Sequence, residues 1–208
     1  NSKPKVMLVS DLPISGNKNL ALGPISPAWV VYRQLSERYQ LSHVGSANLQ
    51  IPDDIDVLWV MHPRSWSVTA LLELQNYLES GRHAVILLDP YAESVPAISL
   101  SNIPNKSMYL ASDIAELFNR WGIKYEPSFA VIDSKYAWLM QLNENQFPKR
   151  NPALISLPAE AMNQRDKVTA DLDRLVLSSA GALSLKDNST LQIEPLLQSS
   201  ESSQLITV

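Results

Sequence analysis

Residues 51–93 constrain the fold more than any other part of this sequence. They are typical of a strand, a helix and a second strand joined by loops, which is the order of a βαβ unit with parallel strands. Each strand ends in a polar residue followed by proline, at His62-Pro63 and at Asp89-Pro90. In an open parallel sheet, ligands and partners meet the carboxyl ends of the strands. The segment therefore predicts a parallel sheet. It also predicts that a functional site lies at the carboxyl ends of the strands.

The pattern on the N-terminal side of this unit extends it to an α/β fold. We expect a three-layer sandwich with a mainly parallel central sheet. One helix is predicted to begin at Ser26, a capping residue followed by proline, and another at Ser67. Gly81 is predicted to end the second helix, whose Val68 should face the core. The predicted sheet strands are Val6–Ser10, Gln40–Val44, Asp56–Met61 and His83–Leu88.

The C-terminal third has a different pattern. Ser112 is predicted to cap a last helix that Gly122 ends, and after about Ala137 short apolar runs follow without long helices between them. These runs, PALISLP, DRLVLSSAGALSL and TLQIEPLLQSS, indicate strands that extend the sheet or form an antiparallel flank. We predict a single domain over residues 1–208, with a βαβ core in 1–136 and a strand-rich extension in 137–208.

The composition excludes several classes of function. The 208 residues contain no cysteine, which rules out a thiol nucleophile, a thiolate metal site and a disulfide. A net charge of −4 gives no basic surface for nucleic acid. The sequence has no phosphate-binding glycine loop, no histidine or acidic metal-binding pattern and no G-x-S-x-G. We therefore expect no cofactor, no metal and no nucleic-acid partner. No apolar run approaches the roughly 18 residues that span a bilayer.

The segment DDIDVLWVMHP, followed by a helix and GRHAVILLDPYAE, resembles an uncharacterised ABC-transporter auxiliary family associated with gliding motility. The opening KVMLVSDLPISG, the YRQLSERYQ helix and the late LSSAGALSL and EPLLQSS stretches fit the same family, so the resemblance spans most of the chain. One departure is clear, because the glycine pair that precedes the last strand in the family is here Gly81-Arg82.

This resemblance implies a periplasmic domain of a membrane-anchored parent at the bacterial inner membrane. It also implies a glutamine-amidotransferase-like or flavodoxin-like form of the fold, and the permease and ATPase subunits of an ABC transporter as partners. The chain opens with Asn1 rather than Met, so we expect an excised soluble portion of that parent. The expected function is a non-catalytic binding or interaction module. The alternatives are a domain that binds cell-wall or surface saccharide and a hydrolase of unknown substrate.

A small-ligand site is predicted over the carboxyl ends of the sheet, with the loops 12–26 and 91–109 as walls. Asp11, His62 and Asp89 each follow a strand there, and this set of side chains suits a saccharide hydroxyl, a peptide amine or a metal. In the alternative reading, the two aspartates cap loops and His62 bonds to backbone. The residues predicted to line the site are Asp11, His62, Arg64, Asp89, Tyr91 and Glu93.

Catalysis is not expected from this sequence. An amidotransferase-like fold would need its nucleophilic cysteine, and the chain has none. Two tryptophans, Trp66 and Trp138, lie in or near predicted loops and are candidates to stack on a saccharide or a partner. Packing within the protein is the alternative role for both.

Overall fold

The structure, a computed structural model, describes residues 2–17, 25–93, 110–141 and 147–208. The chain forms two compact units. The described residues of unit 1 are 2–17, 25–88, 92, 93 and 111–117, and those of unit 2 are 89–91, 110, 118–141 and 147–208. That the units together make one domain, with a core to residue 136 and an extension beyond it, stays a prediction.

Unit 1 is built on a parallel sheet of four strands in the order β2-β1-β3-β4. The two inner strands, β1 and β3, carry fully buried residues such as Leu8 and Leu58, because an inner parallel strand is covered on both faces. The predicted parallel sheet is therefore confirmed. Its strands are β1 (Lys5–Val9), β2 (Gln40–Val44), β3 (Val57–Met61) and β4 (His83–Leu87).

Helix α1 (Val30–Arg38) connects β1 to β2 and begins later than predicted. Trp29 is its N-cap, so the prediction of a cap at Ser26 was wrong. The backbone of Ser26 instead exchanges two hydrogen bonds of 3.0 Å with Asn17, and its hydroxyl accepts a third from the Asn17 N–H at 3.2 Å. Gly16 crosses Ser26 so closely that an added Cβ would lie 2.6 Å from the Ser26 carbonyl oxygen. These loop contacts occupy the serine that the sequence assigned to the helix.

Helix α2 (Val68–Glu79) connects β3 to β4 and agrees with its sequence signals. The Ser67 hydroxyl accepts a hydrogen bond of 3.1 Å from the Ala70 N–H, which is a standard N-cap. Gly81 follows the helix with φ of +80°, the left-handed geometry that glycine adopts without strain. The prediction that Val68 faces the core was wrong, since its side chain is 74% exposed. The buried face consists of Ala70, Leu74 and Tyr77.

The direction of the two crossovers defines the layers of unit 1. The β1–α1–β2 and β3–α2–β4 connections run to opposite edges of the sheet. Because such crossovers are right-handed, they place α1 and α2 on opposite faces, with the sheet as the middle layer. The carboxyl ends of β1 and β3 are neighbours from which the two connections leave in opposite directions. This is the point where an open parallel sheet forms a crevice.

Unit 2 consists mainly of antiparallel strands, which confirms the predicted C-terminal flank. Its main stretch of chain begins within helix α3 (Ala115–Arg120), whose residues from Phe118 onward belong to this unit. The pairs are β5 (Ile123–Tyr125) with β10 (Leu183–Leu185), β6 (Phe129–Asp133) with β11 (Ser203–Thr207), and β7 (Ala137–Met140) with β8 (Lys149–Pro158) with β9 (Arg174–Ser178).

One predicted strand of unit 2 was wrong. The run TLQIEPLLQSS forms no strand in residues 190–200, where an isolated bridge joins Leu197 to Met162. Its Pro195 has no N–H for a strand ladder. The last strand lies instead at β11, after this run. The core of unit 2 contains Val131, Ile155, Leu157 and Ala161, of which the last lies in a short 3₁₀ helix, Ala159–Ala161.

Candidate functional site

Asp11 lies two residues beyond β1, at the edge of the crevice in unit 1. Its Oδ1 accepts a hydrogen bond of 2.9 Å from the Ser46 N–H, in the loop that follows β2. Gly45 lies so close that an added Cβ would meet the same oxygen at 2.9 Å. One carboxylate oxygen of Asp11 is thus engaged in fastening this loop, as the loop-capping interpretation expects.

His62 directly follows β3 and is held in an unusual conformation. Its φ is +51°, in the left-handed region that residues with a side chain adopt only when their surroundings enforce it. Its N–H donates a hydrogen bond of 3.0 Å to the Leu87 carbonyl at the end of β4. Its Nδ1 lies 2.9 Å from the hydroxyl oxygen of Ser112, which is fully buried. The backbone and one ring nitrogen of His62 are therefore fixed within unit 1.

Ser112 has a different role from the one predicted. Helix α3 begins at Ala115, three residues later, and the serine hydroxyl is directed to the His62 ring. The segment is anchored a second time, because the Asp113 N–H donates a hydrogen bond of 2.7 Å to the Pro63 carbonyl. Local sequence could not show this contact, since 50 residues separate Ser112 from His62.

His62 is neutral at physiological pH. Burial of the ring, and to a lesser extent the positive charge of Arg64, lower its pKa to about 4. The negative charge of Asp11 acts in the opposite direction and has the smallest effect of the three. Arg64 and Asp11 are thus near enough to act on the ring, and Arg64 has the larger effect of the two.

Trp66 is the last residue of the loop that begins at His62, and its side chain is buried rather than presented to solvent. Its side chain is 8% exposed and that of His62 is 5% exposed. Within the part of the chain that the structure describes, His62 Nε2 and Trp66 Nε1 have no hydrogen-bond partner. Two buried polar nitrogens are thus left unpaired within residues 62–66, which we call the apical loop.

The other predicted site residues occupy separate environments. Arg64 is partly exposed in the apical loop, and Glu93 is exposed in a turn of unit 1. Asp89 and Tyr91 belong to unit 2, where the Asp89 carboxylate accepts a hydrogen bond of 2.8 Å from the Tyr91 N–H, an Asx turn. In unit 1 the structure brings together Asp11, His62 and Arg64. The six-residue site stays a prediction, and parts of its two loop walls, 18–24 and 94–109, lie outside the described residues.

Trp138 lies in β7 of unit 2 rather than in a loop. The Arg174 guanidinium carbon lies 5.9 Å from the centroid of a ring of this partly buried tryptophan, within the range of a cation–π contact. This contact assigns Trp138 to packing within unit 2.

No cluster of three or more histidine, aspartate or glutamate side chains suited to a metal ion occurs among the residues that the structure describes. In those same ranges, no helix has the length and apolar character needed to cross a bilayer.

Comparison with known families gives the chain its affiliation. A family model described as an ABC-type uncharacterized transport system matches residues 3–208. The chain belongs to this family. A search of curated proteins and a search of solved structures each found no significant match. The resemblance noted in the sequence to an ABC-transporter auxiliary family is confirmed, and the ABC transport family covers both structural units.

A groove in unit 2 gives this ABC transport family member a second candidate surface. It has a volume of about 510 Å³ and we call it the unit 2 groove. Buried core residues such as Ile155 and Leu157 line it together with side chains that remain open to solvent. The exposed apolar residues in its lining are Leu183, Ile193 and Leu197.

Asp133 is a buried charged residue at the end of β6, also in unit 2. Ser200 donates to it from its N–H and from its hydroxyl, both at 2.7 Å, and Lys135 and Tyr136 donate from their N–H groups at 2.9 and 3.0 Å. Burial acts to raise the pKa of Asp133, but these hydrogen bonds outweigh it and hold the pKa below its usual value. Because its acceptor oxygens are occupied in this way, we assign Asp133 a structural role in this ABC transport family member.

Proposed function

We propose that this chain is a non-catalytic binding module of an auxiliary component in an ABC-type transport system. The observation that supports this most directly is the family match over residues 3–208. In this proposal the chain is the periplasmic part of a membrane-anchored parent at the bacterial inner membrane. The parent associates with the permease and ATPase subunits of the same system, and the periplasmic chain contacts the permease. The link to gliding motility and the amidotransferase-like fold, both implied by the sequence resemblance, remain parts of the proposal.

The environment of His62 supports binding rather than catalysis. A general base must reach the proton that it removes and works best with a pKa near the operating pH. The pKa of His62 is about 4, far from physiological pH, and its Nδ1 faces Ser112, which has no solvent exposure. Ser112 therefore gives a substrate no access to its oxygen. These features favour a module that holds a partner or ligand over the hydrolase alternative.

The unit 2 groove supports contact with a protein partner. Interfaces combine a buried apolar centre with aliphatic and aromatic side chains that fill pockets. The groove offers the matching arrangement, since its lining joins core residues to solvent-exposed Leu183 and Ile193. We propose the permease as its occupant, and the family match to an ABC-type transport system supports this choice because such a system includes a permease.

Charged substitutions in the groove should weaken recovery of the permease by about tenfold or more. Ile193→Glu and Leu183→Glu each place a carboxylate among apolar side chains that a partner would cover, and a charge that is desolvated without a counter-ion opposes association. The measurement is affinity capture of tagged permease and ATPase from detergent-solubilised membranes in which all components are produced together.

Val168→Glu is the matched control for these variants. It adds the same charge to unit 2 at an apolar side chain that is 70% exposed and is not part of the groove lining. Recovery with this variant should equal that of the unchanged protein. Equal recovery with all three variants would remove the groove from the proposal, and no recovery with the unchanged protein would reject the interaction itself.

The proposed location can be tested with a single introduced cysteine. The chain contains no cysteine, so Val168→Cys in the membrane-anchored parent adds one thiol at an exposed position. We expect a membrane-impermeant maleimide to label it in cells whose outer membrane alone has been permeabilised. The unsubstituted parent measures background labelling. Labelling that requires lysis of the inner membrane would contradict a periplasmic location.

A further inference from the structure

The two unpaired nitrogens of the apical loop indicate a missing hydrogen-bond acceptor. Buried polar atoms in folded proteins almost always have a partner, and an unpaired one commonly marks the place of a water, an ion or a ligand. Here His62 Nε2 and Trp66 Nε1 are both unpaired among the described residues and lie only four positions apart. One missing partner that both nitrogens share explains them more simply than two separate missing hydrogen bonds.

The chemistry of the two side chains defines the partner that they need. The indole Nε1 of Trp66 can only donate a hydrogen bond. His62 is neutral, so one of its ring nitrogens carries the proton. We assign the Ser112 hydroxyl as donor to Nδ1 across their 2.9 Å contact, which leaves the proton on Nε2. With this tautomer, the apical loop holds two buried N–H donors and calls for a ligand that supplies acceptor oxygens.

The charge and the backbone around the loop favour an anion. The Arg64 guanidinium affects His62 more strongly than the Asp11 carboxylate does. The loop leads directly into the N-terminus of α2, a helix of 12 residues whose dipole attracts negative charge. His62 and Ser65 both have left-handed φ values, +51° and +53°, so the loop is held in a strained form of the kind found at ligand sites.

We propose that the apical loop binds a carboxylate group at the crevice between β1 and β3, with the N–H groups of Trp66 and His62 as donors and Arg64 as the opposite charge. Carboxylate oxygens accept several hydrogen bonds at once and suit paired donors next to a guanidinium. The carboxylate has two chemical sources, the end of a peptide and an acidic saccharide. This site is independent of the unit 2 groove and of the permease contact proposed for it.

The test follows the indole N–H signal of Trp66 by NMR during titration of the ¹⁵N-labelled chain. N-acetylglycine represents a peptide carboxylate and glucuronate represents an acidic saccharide. N-acetylglycinamide and glucose are their uncharged counterparts. We expect at least one carboxylate to shift the Trp66 signal saturably while its uncharged counterpart does not. The carboxylate that binds more tightly identifies the source.

Variants separate binding from general effects on the fold. Trp66→Phe keeps an aromatic ring but removes the N–H, and should weaken binding about 2- to 10-fold, followed through the His62 ring signals. Arg64→Gln removes a charge from a partly exposed side chain and should weaken binding about 2- to 5-fold. Trp138→Phe is the matched control in unit 2 and should leave affinity unchanged.

Several results would overturn the inference. Carboxylates that shift the Trp66 indole no more than their uncharged counterparts would reject it. So would ¹⁵N shifts that place the imidazole proton on Nδ1, or rapid magnetisation transfer from water to the Trp66 N–H that carboxylates leave unchanged. None of these results would affect the capture experiment on the permease, so the two proposals fail separately.

Discussion

Replacing Asp133 with asparagine should lower the free energy of unfolding by about 2–4 kcal/mol. The carboxylate is buried and accepts hydrogen bonds from Ser200, Lys135 and Tyr136. Asparagine keeps the shape of the side chain but loses the charge and replaces one acceptor oxygen with a donor, which then faces N–H or hydroxyl donors. Urea unfolding at pH 7 measures the change. Asp173→Asn, at an exposed aspartate of the same unit, is the control and should change stability little.

The effect of Asp133→Asn should shrink in acid. The folded-state pKa of Asp133 lies below its usual value, so the folded protein binds the proton later than the unfolded chain as pH falls. The stabilisation is therefore complete above the unfolded-state pKa of about 3.9 and is lost as pH falls through the folded-state pKa. Unfolding curves at pH 7 and pH 2.5 should show the two proteins converging. A difference that is independent of pH would contradict the assigned hydrogen-bonding role.

The free energy of unfolding should fall as the pH is lowered from about 7 to about 4, because of His62. Its folded-state pKa is about 4, whereas the unfolded chain has the ordinary histidine value of about 6.5. As pH falls through this window the unfolded state binds a proton that the folded state does not, which favours unfolding. One pKa unit of difference corresponds to about 1.4 kcal/mol, and solvent screening reduces the full effect, so we expect a loss of about 1–3 kcal/mol.

His62→Gln should remove this pH dependence, because glutamine does not titrate and can still hydrogen-bond to Ser112. His83→Gln removes an exposed imidazole from the same unit and should leave the slope as it is in the unchanged protein. Urea unfolding at several values between pH 7 and pH 4 distinguishes the variants. Equal slopes for His62→Gln and the unchanged protein would show that another group titrates in this window.

The parts of the fold that sequence predicted well are those specified by neighbouring residues. Apolar runs defined the four parallel strands, and Ser67 and Gly81 marked the ends of α2 by local hydrogen bonding and by a left-handed backbone. Ser26 gave an equally good capping signal and was wrong. Its hydrogen-bonding groups are used by Asn17, nine residues earlier, and no local pattern distinguishes that bridge from a cap.

The parts that sequence missed depend on contacts between distant residues. The position of Asp11 and His62 at strand ends was predicted, because each follows an apolar run of the βαβ pattern, but whether β1 and β3 are neighbours was left open. The pairing of His62 with Ser112 spans 50 residues, and that of Asp133 with Ser200 spans 67. The burial of Trp66 also depends on how the apical loop folds back. A tryptophan after a polar-proline step gives no indication of which way its ring turns.

The pairing of β6 with β11 can form only late in synthesis of the chain. Strand β6 ends at Asp133, but its partner is Ser203–Thr207, which the ribosome adds more than 60 residues later. At about 5–20 residues per second, this edge of β6 stays without its partner for roughly 4–15 s after it is made. During that interval the edge of β6 that includes Val131 is open to pairing with other chains. Completion of Ser203–Thr207 therefore ends the period in which this edge is exposed to incorrect pairing.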